Sequence, residues 1–472
     1  MGSRPLCPDK NLKRGMDMVT SFDDYFNSLK GKNILVMGLG ISNRPLVKLL
    51  LSYGCTVTGC DKTPREKLDA EVLALEEIGC KLKVGEDYLE GLQADLVFRT
   101  PGMHPDIPAL RQLREQGAKV TSEMQVFFEL CPCNLLAVTG SDGKTTTTTL
   151  ISEILKAAGK TVWLGGNIGT PLLSSVPQMD KEDWAVVELS SFQLMDMDRS
   201  PQVAVITNLA PNHLDVHKDM EEYTWAKQNI YRHQSKAGKL VLNADNAITA
   251  GFVGNGETRY FSSSAKTKNG TYLAENTIYR DEMPVLDIRT IAIPGHHNVE
   301  NYMAAILAVE GIADDEVIRK VAAEFGGVEH RIELVRVKDG VKFYNDSIAS
   351  SPSRTIAGLN SFDQKVILIA GGYDKQIPFD VLGPVVCEKV KTVFINGATA
   401  EKIRQAIVSA PNYKAGCPEI VMCKDFTDAV YRSAQAAKAG DVVLMSPACA
   451  AFDQFKNFME RGNYFKKLVK EL

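Results

Sequence analysis

The apolar run Leu135-Leu-Ala-Val138 gives way directly to Thr139-Gly-Ser-Asp-Gly-Lys-Thr-Thr146, and a helix-forming stretch from Thr147 to Ala158 follows. No other feature restricts the possible folds as much. A strand, a glycine turn and a helix start in immediate succession build a cradle. Its backbone N–H groups and positive helix end face an anion. Gly140, Ser141, Asp142, Gly143, Lys144, Thr145 and Thr146 are therefore candidate ATP-binding residues. Lys144 can reach the β/γ oxygens and the Thr145 hydroxyl can ligate Mg²⁺. The general P-loop pattern asks for a further glycine where this chain has Val138, so the loop is a variant form.

A chain of 472 residues is too long for one core and predicts about three domains. The net charge of −4 leaves no basic footprint for nucleic acid or a membrane surface. No apolar run approaches the roughly 20 residues that span a bilayer. The polar stretch Met1 to Lys32 lacks the apolar core of a signal peptide. The ten cysteines form no Cys-x-x-Cys pair, which argues against a zinc site and for reduced thiols in a cytoplasmic protein.

Three α/β blocks follow one another. The first, 1–122 with an N-terminal extension 1–31, opens with Asn33-Ile-Leu-Val-Met-Gly-Leu-Gly40, a helical stretch to Tyr53 and Thr56-Val-Thr-Gly-Cys-Asp61. That is the first half of a Rossmann-like, doubly wound fold, with Asn43 where a dinucleotide fingerprint has its third glycine. The extension is expected to be a helix or disordered. The central block, 123–327, carries the P-loop and the strands Trp184–Leu189 and Val203–Asn208, which predict a P-loop NTPase-like parallel sheet covered on both faces. The last block, 328–472, repeats the pattern with Val341–Asn345, Val366–Gly372, Thr392–Asn396 and Val442–Ser446, giving a second Rossmann-like domain.

Chemistry-bearing residues cluster where the strand ends should converge. Glu188 ends a hydrophobic strand and can hold Mg²⁺ beside Thr145. His213 follows another strand and can orient a ligand or bind metal. Lys227 sits in the helical Trp225-Ala-Lys-Gln-Asn-Ile-Tyr231, where spacing alone suggests a surface lysine. Asn298 and Asn301 share a helical face; their amides could read an adenine edge or cap the helix. Asp346 and Lys375 each follow an apolar strand, and a cation at such an edge suits a carboxylate-bearing substrate.

The ordered set resembles the Mur ligase family, which builds the peptide stem of bacterial cell-wall precursors. The strings are the P-loop, Gly166-Asn-Ile-Gly-Thr-Pro171, Glu188-Leu-Ser-Ser-Phe-Gln193, His213, Lys227, Asn298 to Asn301, His330-Arg331 and Ser446-Pro-Ala-Cys-Ala-Ala-Phe-Asp-Gln-Phe455. Within the family they are most similar to the branch that adds D-glutamate to UDP-N-acetylmuramoyl-L-alanine. The resemblance implies that ATP phosphorylates a substrate carboxylate and that the amine attacks the resulting acyl phosphate. It implies two Mg²⁺ ions: Thr145 and Glu188 would hold the first, His213 and a carbamylated Lys227 the second. Lys144, Glu188, His213 and Lys227 would be the catalytic set, with His213 also touching the UDP-substrate. Asn298, Asn301, Arg331 and Asp346 would contact ATP. Ser42, Asp61, Thr100, Gly102 and Asn167 would contact the UDP-sugar. Ser350 and Lys375 would hold the D-glutamate α-carboxylate, with Ala451 and Phe458 near its side chain. The chain departs from the family at Ile348, where a lysine is common, and at Ser350, where threonine is.

A cytoplasmic monomer working on small molecules is the expectation. Three other readings compete: another Mur-type or folylpolyglutamate-type ligase, a P-loop nucleotide switch without ligase chemistry, and a dehydrogenase built on Gly38-x-Gly40.

Overall fold

The computed structural model describes residues 21–213 and 216–472. Most of the N-terminal extension therefore lies outside the described residues; its end forms the helix Phe22–Asn27, capped by the Ser21 side chain.

Among the described residues the strands form three sheets. In the first, β1 (Asn33–Met37), β2 (Thr56–Asp61), β3 (Lys81–Val84), β4 (Leu96–Arg99) and β5 (Lys119–Thr121) run parallel in the order β3-β2-β1-β4-β5. The second comprises β6 (Asn134–Thr139), β7 (Val162–Gly166), β8 (Trp184–Glu188), β9 (Val203–Ile206), β10 (Lys239–Asn243), β11 (Glu257–Ser262), β12 (Gly270–Ala274), β13 (Thr277–Arg280) and β14 (Met283–Asp287). Its order is β14-β13-β12-β11-β10-β9-β6-β8-β7, so β6 and its P-loop lie between β8 and β9. The third holds β15 (Glu333–Lys338), β16 (Val341–Asn345), β17 (Val366–Ala370), β18 (Val390–Ile395), β19 (Glu419–Met422) and β20 (Val442–Met445), ordered β15-β16-β20-β17-β18-β19.

The parallel expectation holds at the sheet centres and fails at two edges. β12, β13 and β14 pair antiparallel, and β15 is antiparallel to β16. Short connections explain this: a parallel neighbour needs a long crossover, and only a hairpin fits between β15 and β16. Burial follows position. The central β17 is buried throughout, whereas the edge strand β15 is half-exposed.

Alternation along β6 divides its side chains between two cores. Leu136 and Val138 pack with Leu150, Ile151, Ile154 and Leu155 of the helix Lys144–Ala157 and with the helix His296–Ala308. Each such buried aliphatic side chain contributes about 1.5–3 kcal/mol. Leu135 and Ala137 face the other way, into a cluster that also contains Ile34, Val36 and Phe98 of the first sheet. The first and second sheets thus share one apolar cluster, while the third keeps its own.

Candidate functional site

The P-loop helix begins at Lys144, earlier than its apolar pattern predicts, because left-handed Gly143 (φ 77°) turns the chain into it. Two close approaches explain the glycines. A Cβ on Gly140 would lie 1.9 Å from Thr207 Oγ1, and one on Gly143 2.5 Å from Asn301 Oδ1. The Ser141 N–H donates to the Asn208 carbonyl and the Asp142 N–H to Asn208 Oδ1, both at 2.9 Å. Asn301 accepts from the Thr147 hydroxyl at 3.1 Å and donates to Asn298 Oδ1 at 3.0 Å; Asn298 donates to the Pro294 carbonyl at 2.6 Å. Both asparagines are buried, so here they brace the loop and its helix. Lys144 folds back on the Ser141 carbonyl at 2.9 Å. Burial lowers its pKa; Glu188 and Asp142 oppose the shift and Arg331 adds to it.

Glu188, at the end of β8, is 1% exposed. Its Oε1 accepts from Asn167 Nδ2 at 2.7 Å, while Oε2 is buried without a hydrogen-bond partner. Such an oxygen needs a proton or a cation. Lys227 is no surface lysine: it is 2% exposed, donates to Thr139 Oγ1 at 3.1 Å and lies 5.0 Å over the Tyr223 ring. Burial, with the neighbouring Lys144 charge, drives its pKa well below the usual lysine value. Burial thus favours the uncharged amine, the form that takes up CO₂. His213 stays exposed in a left-handed conformation (φ 56°), its ring edge-on to Phe192 at 5.1 Å. His217, by contrast, is buried, stacked on Phe192 at 5.2 Å and hydrogen-bonded to Ser191 Oγ at 2.8 Å. Sequence reasoning missed it.

The third sheet sends its own residues toward this place. Arg331 is half-buried, and burial lowers its pKa; Glu188 opposes the shift, Arg354 adds to it, and Asp346 and Asp142 also act on it. Charges from two lobes therefore meet. Asp346, at the end of β16, accepts from Ser446 Oγ at 2.7 Å, and burial pushes its pKa up to about 7. Lys375 Nζ donates to Ser350 Oγ at 3.4 Å, bringing together the two side chains expected at one carboxylate. Ala451 is buried, and its carbonyl accepts from the Phe455 N–H at 2.8 Å. The Phe458 carbonyl accepts from Ser347 Oγ at 2.7 Å, and its ring meets His330 edge-on at 5.9 Å. Arg354 stands in the first turn of the helix Pro352–Leu359. Its charge acts on Arg331 and Asp346. No sequence motif marked it.

In the first sheet the strand order reverses between β1 and β4, where crevices form beyond the carboxyl ends. Asp61 braces that edge: Oδ2 accepts from the Leu39 N–H at 2.8 Å and Oδ1 from the Thr63 N–H at 2.9 Å. Thr100 crowds Gly38, where a Cβ would come within 2.7 Å of its methyl group. Ser42, Gly102 and Asn167 are exposed. Arg99, fully buried, links the lobes: it pairs with Asp196 at 2.6 Å and donates to the Phe192 carbonyl at 3.1 Å and the Met103 carbonyl at 2.5 Å.

Residues 138–309 match the Mur ligase middle domain, and residues 330–449 the family described as Mur ligase, glutamate ligase domain. The chain belongs to the Mur ligase family. Mur ligases are ATP-dependent amide ligases that use Mg²⁺. The Thr145 hydroxyl and the orphaned Glu188 oxygen suit that hard cation, which takes oxygen ligands. A UDP-N-acetylmuramoylalanine–D-glutamate ligase of Acetivibrio thermocellus is 52% identical over 96% of this chain and 100% of its own length. One from Clostridium botulinum is 47% identical over 96% of this chain and 100% of its own length. Among solved structures, UDP-N-acetylmuramate–alanine ligase of Thermotoga maritima matches with a TM-score of 0.55 and 17% identity, covering 93% of this chain and 99% of that one. This last likeness speaks for the Mur ligase fold alone.

Proposed function

We propose that this Mur ligase joins D-glutamate to UDP-N-acetylmuramoyl-L-alanine with ATP, releasing ADP and phosphate, in peptidoglycan precursor synthesis. The reading rests on the electrostatic coupling of Lys144, Glu188 and Arg331 across two lobes, with the Ser350–Lys375 pair on the third-lobe side. The full-length D-glutamate ligase relatives support the choice of substrate.

In this reading the substrate carboxylate attacks the γ-phosphorus and the bond to ADP breaks. The amine of D-glutamate then attacks the acyl carbon, and phosphate leaves. Gly140 to Thr146 hold the phosphates, and Lys144 and Arg331 offset the charge that builds between two anions. Bound Mg²⁺ would add charge neutralisation through Thr145 and Glu188 at one site and through His213 and carbamylated Lys227 at a second. Asn298, Asn301 and Asp346 complete the ATP side. Ser42, Asp61, Thr100, Gly102, Asn167 and His213 receive the UDP-sugar. Ser350 and Lys375 hold the α-carboxylate of D-glutamate, with Ala451 and Phe458 near its side chain. Closing the lobes keeps water from the acyl phosphate.

The same reading divides the chain into a UDP-sugar domain (1–122), an ATPase domain (123–327) and an amino-acid domain (328–472), acting as a cytoplasmic monomer. No helix among the described residues is long and apolar enough to cross a membrane.

The test is ADP release with UDP-N-acetylmuramoyl-L-alanine, comparing D-glutamate with L-glutamate and lysine. D-glutamate alone should drive turnover, and Lys144→Ala should abolish it. Equal rates with lysine, or substantial activity in Lys144→Ala, would overturn the assignment.

A further inference from the structure

Arg461 lies in the first turn of the helix Phe458–Glu471 and is 2% exposed, yet no carboxylate among the described residues lies within ion-pairing distance of it. Burial lowers its pKa to about 10. A buried charge without a contacting counter-ion is costly, and Asp453 and Asp346 act on this one only as more distant charges. The hydrogen bonds show what the guanidinium does there. Nε donates to Ser347 Oγ at 3.1 Å and Nη2 to the Ser347 carbonyl at 2.9 Å. Nη2 also donates to the Cys449 carbonyl at 3.0 Å, and Nη1 to the Ala450 carbonyl at 3.1 Å. A third segment packs on the same group, since a Cβ on Gly372 would lie 3.2 Å from Nη1.

These three segments lead to Ser350, Ala451 and Lys375. We propose that Arg461 is a positioning residue for the amino-acid substrate, fixing from behind the three loops that receive D-glutamate. This inference rests on the ligase reading above. Peptide geometry gives it a mechanism. In a trans peptide the carbonyl and the following N–H point to opposite sides. Holding the Ala450 carbonyl against Arg461 therefore turns the Ala451 N–H away from it, and the guanidinium polarises that peptide in the sense that strengthens the N–H as a donor. An anionic ligand with two carboxylates meets a pre-aimed donor backed by positive charge. Lysine could replace the charge but not the fork, which reaches two loops at once.

The test uses the full chain carrying Arg461→Lys, with KM measured separately for D-glutamate, ATP and the UDP-substrate. The expected result is a rise of tenfold or more in KM for D-glutamate, the other two staying within twofold, in a variant that remains folded. A folded variant whose KM for D-glutamate stays within twofold overturns the proposal, as does an equal rise for all three substrates. Should Arg461→Lys fail to fold, Ser347→Ala, which removes the Nε acceptor, decides: a threefold or larger rise confined to D-glutamate supports the role, and no change overturns it. Wild-type ADP release that ignores D-glutamate would overturn the ligase reading itself, and this inference with it.

Discussion

Asn167 donates to Oε1 of Glu188 at 2.7 Å and so fixes the carboxylate with its other oxygen buried and unpaired. A glutamine in place of Glu188 keeps the hydrogen-bond acceptor and loses the negative charge. Glu188→Gln should lower kcat on the order of 10²–10³-fold, the size typical for removal of a preorganised electrostatic group. A Mg²⁺ titration of ADP release checks this. Saturation at the wild-type Mg²⁺ concentration with wild-type kcat would remove Glu188 from the metal site.

Lys227 should carry CO₂. Burial lowers its pKa and so favours the uncharged amine, which donates to the Thr139 hydroxyl. Intact-protein mass spectrometry in bicarbonate should find the added carboxylate. Occupancy should fall on acidification, because a protonated amine cannot add CO₂. Full activity after exhaustive CO₂ removal would count against the modification.

Arg354 supplies positive charge that acts on Asp346, two residues before the position where family resemblance puts a lysine and this chain has Ile348. It shares a helical face with Gly358, whose Cβ position lies 2.8 Å from Asp346 Oδ2. Arg354→Ala should reduce kcat/KM for ATP about tenfold, a loss near 1.4 kcal/mol. Adding Ile348→Lys should restore most of it. An inert Arg354→Ala would show that the charge at 348 needs no replacement.

Glu123 gives a pH-dependent stability. It is buried between the first and second sheets and accepts from the Leu173 N–H at 3.0 Å; burial raises its pKa to about 7 from the usual 4.5. A raised folded value means that its stabilising protonated form is present at acid pH. The benefit shrinks as pH climbs from the unfolded value and is gone above about 7. A shift of that size corresponds to about 3 kcal/mol. Glu123→Gln should therefore melt several degrees higher than wild type at pH 8 and converge with it near pH 4. Parallel melting curves at both pH values would contradict this.

Much of this was legible in the chain. The β6 to Lys144 junction showed itself because strand, turn and helix signals are contiguous, and the three sheets because buried parallel strands are unbroken apolar runs. Lys227 was legible only through resemblance; a helical lysine gives no local sign that tertiary packing will bury it. His217 and Arg461 gave no sign either, since their partners Ser191, Ser347 and Ala450 are distant in sequence. The antiparallel edges were missed because half-exposed edge strands such as β15 mix charged and apolar residues and form no unbroken apolar run. Asn298 and Asn301 were correctly placed on one helical face, but the pattern alone did not reveal that they bond to each other.

The apolar cluster running from Ile34 and Phe98 to Leu135 and Ala137 has a mechanical consequence. With Arg99 and Asp196 paired across the same junction, relative movement of the first two lobes would break up a continuous interior. The last lobe, with a separate interior, hangs on the chain near Gly326 and Gly327. In the proposed reading the two nucleotide-bearing ligands would sit on lobes that share an interior, and the amino acid on a lobe with an interior of its own.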